Sequence, residues 1–330
     1  MTVRRGVALV TVLFLIAGLG TVSARAGDKK LIIATATPGG TYHPVGAALA
    51  SLIGAKLSQA RGITAAAVNS AGSGENLRLL ANKTADLAIL QALFGLEAYH
   101  GRGAYEGRAV KDFAAVTMLW ENVEHFVVLG DQAKTGTMAD LQGFGKKFSI
   151  GSKGSGTEGS GRAILSALGL DPDRDLALEF LGYDDSAQAM LDGRIFGANI
   201  PAGPPAPAVA RLHAEPGPGK VKVLDFTDEQ LAAIRRSHPI WTRYVIAAGT
   251  YPGQDRPINT IAQPNFLACR SDLPEETVYL ITKTIYENLP LLEKAHPATA
   301  AMSLERAVLG LPAPLHPGAL KYYREVGAIK

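Results

Sequence analysis

The sequence predicts an α/β fold of two lobes, each with a mostly parallel sheet flanked by helices. Two observations carry this prediction. Short apolar runs alternate with helical patterns in two separate units of the chain, and a long extended segment follows each unit. Such alternation favours parallel sheets with helices on their faces. A chain of 330 residues is long enough for two modest lobes.

The first unit reads as β-α-β-α-β. Its first helical segment has Pro44 near the first position, where proline is tolerated. A glycine-containing turn precedes the second helix. The predicted strands are LIIATA, ITAAAVNS and DLAILQ, and the helical segments are HPVGAALASLIGAKL and the end of AGSGENLRLLANKTA.

The second unit repeats the alternation. A Pro/Gly loop, PAGPPAP, interrupts it, and Asp228 begins a short helix, DEQLAAIRRS. The other predicted elements are the strands KKFSIGS, ALEFLGY, RIFGANIPA and KVKVLDF, and the helices in GSGTEGSGRAILSALGL and DDSAQAMLDG.

Two extended segments, AAVTMLWENVEHFVVLG and NTIAQPNFLACRSDL, follow the two units, and the tail from Pro274 is mainly helical. We expect the chain to cross between the lobes along these two segments. The expected division is lobe I from residues 27–123 with 261–330, and lobe II from 124–260. A ligand would then lie in the cleft, where strands end and helices begin.

The first 26 residues have the pattern of a secretory signal peptide. Arg4 and Arg5 precede a 14-residue apolar run, Val7 to Gly20, and small residues flank Arg25. The run is too short to span a membrane comfortably, so we expect export and cleavage after Ala26.

The composition excludes several classes of function. Three of the 33 basic residues, Arg4, Arg5 and Arg25, belong to the leader, which leaves 30 basic and 30 acidic residues. This balance argues against a nucleic-acid binder. Cys269 is the single cysteine, and the seven histidines stand apart. We therefore expect no disulfide, no metal site and no cofactor.

Three turns place glycines and hydroxyls immediately before a helix: Thr37–Tyr42, Asn69–Asn76 and Gly151–Glu158. The free N–H groups at a helix start carry an effective charge of roughly +0.5, and glycine lets a ligand approach the backbone closely. Each turn alone is equally explained by helix capping. Three such turns at one cleft favour a small anionic or zwitterionic ligand.

The glycine-rich stretch Gly151–Gly161, GSKGSGTEGSG, has other interpretations. It is not a phosphate-binding P-loop, because no Gly-Lys-[Ser/Thr] closes it. It matches GxGxxG from Gly154 to Gly159, but Glu179 lies inside a strand and nicotinamide cofactors belong to the cytoplasm. No GxSxG motif is present, so catalysis has little support.

Five segments together resemble the TAXI family, the solute receptors of TRAP transporters. They are LIIATATPGGTYHPVGAALA, NSAGSGENLRLLANKTADLAILQ, GSKGSGTEGSGRAILSALGL, AAGTYPGQD and LPAPLHPGALKYYREVG. The resemblance covers essentially the whole chain after the leader. It implies a type II periplasmic-binding-protein fold, a periplasmic location, and delivery of the solute to a membrane permease driven by an ion gradient. We expect a monomer.

The resemblance also implies the ligand-binding residues. They are Gly40, Thr41, Tyr42, Ser73, Asn76, Gln91, Ser155, Gly156 and Thr157. The family's ligands are amino acids such as glutamate, or dicarboxylates, so the expected solute is a small carboxylate or zwitterion, with 2-oxo acids as a further candidate class.

Three positions depart from the family pattern: His43 replaces a second tyrosine after GGTY, Phe196–Gly197 replaces a common DA, and NSAGSGEN replaces STGGSVEN. These departures bear on the shape and specificity of the pocket. Two alternatives to a transport receptor remain at this stage. One is an exported α/β enzyme using residues 151–161 for a nucleotide or phosphate, and the other is a ligand sensor on the same fold.

Overall fold

A computed structural model describes residues 29–215 and 220–329. The predicted leader, residues 1–26, lies outside the described residues. The described strands are β1 (Lys29–Ala34), β2 (Ile63–Val68), β3 (Leu87–Gln91), β4 (Phe113–Val123), β5 (Phe126–Leu129), β6 (Lys147–Ser149), β7 (Ala177–Glu179), β8 (Gly197–Asn199), β9 (Val221–Val223), β10 (Thr242–Ile246) and β11 (Ile258–Arg270).

The described part of the chain also forms α-helices, which flank the two sheets. They are α1 (Tyr42–Arg61), α2 (Ser73–Ala81), α3 (Ala92–His100), α4 (Gly156–Ala167), α5 (Pro172–Asp175), α6 (Tyr183–Leu191), α7 (Pro207–Ala214), α8 (Asp228–Ser237), α9 (Glu275–Tyr286), α10 (Leu289–Ala295) and α11 (Pro317–Glu325). None of these helices is long and apolar enough to cross a membrane.

The strands form two sheets, which confirms the predicted two-lobed α/β fold. One sheet has the order β10-β11-β3-β1-β2, with β4 also paired to β11, and the other has the order β7-β6-β8-β5-β9. We call the first sheet with its helices lobe I and the second lobe II. Strand β1 pairs in parallel with β2 and β3, and β6 with β7 and β8, while the five other pairs among the described strands are antiparallel. The expectation of mostly parallel sheets is therefore wrong, because β11 and β5 both run antiparallel to their neighbours.

The sequence patterns predict most strands and helices of the two units within a few residues. They do not predict α3, α5, α7 and β10. The reason for α3 is visible in the chain, because this helix begins at Ala92 directly after β3 ends at Gln91. No turn residue separates the two elements, and the apolar run LAILQALFGLEA hides the change from strand to helix.

The two long extended segments pair with each other. Strand β4 runs antiparallel to β11, from Val123 opposite Ala262 to Phe113 opposite Arg270, with register shifts near Pro264 and Leu267. The chain leaves β4 for lobe II through Glu124 and His125. Because each long strand contacts the cores of both lobes, the pair is the structural link between them.

The core of lobe I packs β1, β3, β4 and β11 against α1, α9 and α11. Leu49, Ile53 and Ile281 are fully buried there. Cys269 lies in the same cluster with no exposed surface, and burial raises the pKa of its thiol. The single cysteine is therefore packed as a small apolar residue.

A glycine allows α11 to approach the first turn of α9. A Cβ added at Gly318 would lie 2.2 Å from the Glu275 carbonyl oxygen and 2.6 Å from the Tyr279 nitrogen. Because these are backbone atoms, we expect Gly318→Ala to lower the free energy of unfolding by about 1–3 kcal/mol. The control is Gly54→Ala on α1, where a Cβ meets nothing within 4 Å. Urea unfolding of both variants gives the answer, and equal midpoints would contradict the expectation.

Candidate functional site

A small cavity lies between the two lobes, at the carboxyl ends of β1 and β3. Its water-accessible volume is about 20 Å³. A cavity needs about 10–15 Å³ to hold one water, so a solute enters only when the lobes separate. The lining residues are Ala36, Thr37, Gly40, Thr41, Tyr42, Ala71, Gly72, Ser73, Gln91, Asn122, Gly156, Thr157, Tyr183 and Pro201.

Most of the residues expected to bind ligand meet at this cavity. Seven of the nine line it: Gly40, Thr41, Tyr42, Ser73, Gln91, Gly156 and Thr157. Both lobes contribute, because the first five of these come from lobe I and the last two from the start of α4 in lobe II. Asn76 and Ser155 are placed elsewhere.

The Asn76 side chain holds the frame of lobe I together. Its Nδ2 donates to the carbonyl oxygens of Thr35, at 2.7 Å, and Ile89, at 2.8 Å. Its Oδ1 accepts from the Ser70 hydroxyl at 2.6 Å. The side chain is fully buried, and these bonds tie the ends of β1 and β3 to the turn before α2.

The Ser155 side chain caps α4. Its Oγ accepts from the Glu158 N–H at 3.0 Å. Ser155 lines a second, outer cavity of about 600 Å³, together with Arg78 and Arg162. The Glu158 carboxylate also accepts the Gly154 N–H at 2.7 Å. A carboxylate therefore already occupies a backbone donor that a bound phosphate would need in this loop.

Five helices, α1, α2, α3, α4 and α6, have their first or capping residue in the lining of the inner cavity. Helices α2 and α4 carry an acidic residue in the first turn, Glu75 and Glu158 respectively. Helix α1 has no acidic residue in its first turn and no side-chain cap. The Thr41 hydroxyl, which stands at the capping position, donates instead to the Gly203 carbonyl of lobe II at 3.1 Å. The positive end of α1 thus has no cap or acidic residue of its own. Helix α3 also lacks both, but there Gln263 Oε1 accepts the Leu93 N–H at 2.8 Å. The Asp184 carboxylate of lobe II lies beside Gly39, just before α1.

Two tyrosines supply neutral phenols to the cavity. The Tyr42 hydroxyl donates to Asn265 Oδ1 at 2.5 Å, and burial raises its pKa. The Tyr183 hydroxyl donates to the Pro201 carbonyl at 2.8 Å and lies 2.7 Å from Thr157 Oγ1. Burial raises the pKa of Tyr183 as well. Since its single proton goes to Pro201, the Thr157 hydroxyl donates to Tyr183.

The site has a polar floor that the sequence patterns do not predict. It comes from β3, β4 and β11, where Asn122 lies opposite Gln263 and Asn265 opposite Gln91. Glu124 follows directly after the end of β4. All of these side chains are at most 3% exposed.

Several polar atoms of this floor and its surroundings have no hydrogen-bonding partner among the described residues. They are both amide atoms of Asn122, Nδ2 of Asn265, both carboxyl oxygens of Glu124 and both amide atoms of Asn199. Buried polar groups are normally satisfied, so such atoms mark a functional region. The signal in the sequence is the pair of polar alternations WENVEH and AQPN inside apolar segments.

Glu124 is the buried carboxyl of this region. It has no exposed surface, and burial raises its pKa to about 8, while the nearby Asn199 amide and Ser160 hydroxyl act in the opposite direction. The adjacent His125 is also buried, and burial lowers its pKa to about 4. Its Nε2 lies 2.7 Å from the Tyr251 hydroxyl. The histidine is therefore neutral and offers Glu124 no positive partner.

Glycines form the seam where the lobes meet. A Cβ on Gly74 would lie 2.3 Å from the Gly154 carbonyl oxygen, and one on Gly40 would lie 2.8 Å from the Tyr183 ring. A Cβ on Gly159 would lie 2.3 Å from the Phe94 ring. The backbone of one lobe thus approaches the other to a distance that no larger residue permits.

Comparison with protein families shows which family the chain is related to. The profile of the NMT1-like family matches residues 33–327.

The chain belongs to the NMT1-like family. It also shares its fold with solved periplasmic binding proteins. MatC from Rhodopseudomonas palustris with bound malate is 14% identical, with a TM-score of 0.55, and the match covers 90% of this chain and 97% of that one. The periplasmic binding protein BugD is 14% identical, with a TM-score of 0.55 and coverage of 92% and 95%. This two-lobed fold confirms the expected architecture.

The described residues include no group of three or more His, Cys, Asp or Glu side chains that could hold a metal ion. The expectations of no metal and no cofactor stay predictions. The finer placement in the TAXI family and the expected ligand residues belong to the proposal below.

The raised pKa of Glu124 predicts a dependence of stability on pH. Its carboxyl holds a proton in the folded chain up to pH of about 8, whereas an unfolded glutamate loses it near 4.3. Between these values the folded state binds more protons, so the free energy of unfolding falls as pH rises, by at most about 1.4 kcal/mol per unit.

We expect Glu124→Gln to remove this slope between pH 5 and 8. The control is Glu293→Gln, at an exposed position on α10, which should leave the slope unchanged. Urea unfolding at four pH values measures it. Parallel pH profiles for the wild type and the Glu124 variant would show that the carboxyl is not held protonated.

Proposed function

We propose that the chain is a periplasmic solute-binding receptor of the TAXI type. It captures a small carboxylate between its lobes and delivers it to a TRAP-type membrane permease driven by an ion gradient. Along the chain the lobes divide near residues 123 and 260, except that β10 pairs with β11 at the edge of the lobe I sheet. The export signal ends at Ala26. Membership of the NMT1-like family and the shared fold of periplasmic binding proteins support this proposal.

One observation carries the choice of a carboxylate. The uncapped start of α1 lies at a cavity lined by both lobes, with no acidic residue in its first turn. Oriented N–H groups at a helix start hold anions well. The Gly156 and Thr157 turn approaches the same cavity from lobe II. MatC, which shares the fold, has malate bound, and this agrees with a small organic acid.

A binding role is favoured over catalysis by the chemistry of the lining. Among the residues that line the cavity, the titratable side chains are the phenols of Tyr42 and Tyr183, and burial raises the pKa of both. Neither is suited to transfer protons near neutral pH. The alternative of a nucleotide-binding enzyme would use residues 151–161, where Glu158 accepts the Gly154 N–H.

We expect small carboxylates to raise the unfolding temperature. A ligand at 100 times its dissociation constant adds about 2.7 kcal/mol to the free energy of unfolding. Thermal unfolding of solute-stripped protein with amino acids, 2-oxo acids, dicarboxylates, NAD and nucleotides measures the effect. A shift produced by nucleotides alone would favour the enzyme, and no shift with any carboxylate would refute the receptor.

Closure of the lobes should depend on the glycine seam. Gly74→Ala places a methyl group 2.3 Å from the Gly154 carbonyl oxygen of the other lobe. We expect the affinity for the solute that the thermal-unfolding screen identifies to fall at least tenfold, which is about 1.4 kcal/mol. The unfolding temperature without solute should not fall, because alanine favours the helix in which Gly74 lies. Gly54→Ala is the control, and calorimetric titration is the measurement. Equal affinities would remove this contact from the closed form.

A further inference from the structure

We propose that the solute carries a single carboxylate and, at its other end, an uncharged group with both a hydrogen-bond donor and an acceptor, such as a carboxamide, which Asn122 recognises. This inference rests on the proposed function and narrows the class of solute. It also assigns a specificity-determining residue that lies outside the glycine turns.

Asn122 is a recognition group without a protein partner. Its side chain lines the cavity and is 1% exposed, yet neither its amide nitrogen nor its amide oxygen hydrogen-bonds within the described structure. A buried amide group without a hydrogen-bonding partner destabilises the folded chain. A ligand that offers both a donor and an acceptor removes this cost, and a carboxamide does so with two parallel bonds.

Asn265 is a second buried amide that, in the described part of the chain, lacks a hydrogen-bonding partner for one of its atoms. Its Oδ1 accepts the Tyr42 hydroxyl, whereas its Nδ2 has no partner. The opposite residue on β3, Gln91, lines the cavity and is 3% exposed. The floor therefore presents amides and no cation to a solute. Amides suit a neutral polar group better than a second anion, which requires full compensation when it is buried.

The pKa of Glu124 shows how a carboxyl group is affected by burial near this cavity. Glu124 lies two residues after Asn122, just beyond the end of β4, and near Tyr183 of the lining. No lysine or arginine lines the cavity among the described residues. Burial without a cation keeps the Glu124 carboxyl largely protonated near neutral pH. A second carboxylate on a solute would meet the same unfavourable desolvation.

Different parts of the protein thus contact the two ends of the solute. The carboxylate has the start of α1 and the Gly156–Thr157 turn, where backbone N–H groups favour negative charge. The uncharged end has Asn122 on β4. An ammonium group beside the carboxylate is compatible with this arrangement, because the resulting end has no net charge.

Matched pairs that exchange an amide for a carboxylate test the inference. Calorimetric titration compares glutamine with glutamate, and succinamate with succinate. We expect the amide to bind at least tenfold more tightly in at least one pair and the acid to be favoured in neither. Equal or tighter binding of the acids would overturn the inference and leave the receptor function intact. Failure of both amides while another carboxylate binds would also overturn it. Failure of every carboxylate would refute the proposed function itself.

Asn122→Leu tests the residue. The substitution removes two unpaired polar atoms, so the unfolding temperature without solute should stay equal or rise, while the affinity for the amide falls at least tenfold. A merely structural asparagine would lose stability and leave the affinity unchanged, which would overturn the assignment. Asn122→Ala removes the donor and the acceptor with a smaller side chain and provides a second variant. It should bind the amide at least tenfold more weakly, and wild-type affinity in this variant would equally refute the role of Asn122.

Discussion

The pairing of β4 with β11 is the contact on which both lobes depend. The two strands run antiparallel and are the long segments that link the lobes. Their register sets which side chains share a face, and it places Asn122 opposite Gln263 at the floor of the cavity. The same ladder therefore joins the lobes and builds part of the site. A change of register by one residue would turn these amides toward the opposite face.

The local part of this structure was accessible from the sequence. Strand and helix patterns in the two units, and the turns before α1, α2 and α4, depend on neighbouring residues, and seven of the nine expected ligand residues meet at one cavity. The polar floor was not accessible, because it depends on pairing between segments that are far apart in sequence. Asn76 and Ser155 show the remaining difficulty. Capping and ligand binding use the same residue types, and only the bonds each side chain makes separate the two roles.

Charge is arranged unevenly around the cleft. Helices α2 and α4 have acidic residues in their first turns, Glu75 and Glu158, whereas α1 has none. The outer cavity contains Arg78 and Arg162, but Arg162 pairs with Glu158 and with Asp173. The inner cavity relies on backbone dipoles and amides. Recognition by backbone dipoles and amides depends on their distance and orientation relative to the solute. In the proposed receptor the lobes must therefore close to the same arrangement each time.

The glycine seam determines how such an arrangement is reached. Glycine has no side chain whose rotamers must be frozen when the lobes meet, so closing this seam loses little side-chain entropy. In the proposed receptor a solute then has to supply little free energy to hold the lobes together, and a few kcal/mol of preference for one form is enough to shift the population of the ensemble. The glycines that predict a ligand site from the sequence thus have a second consequence: they let a small molecule with few contacts control the position of an entire lobe.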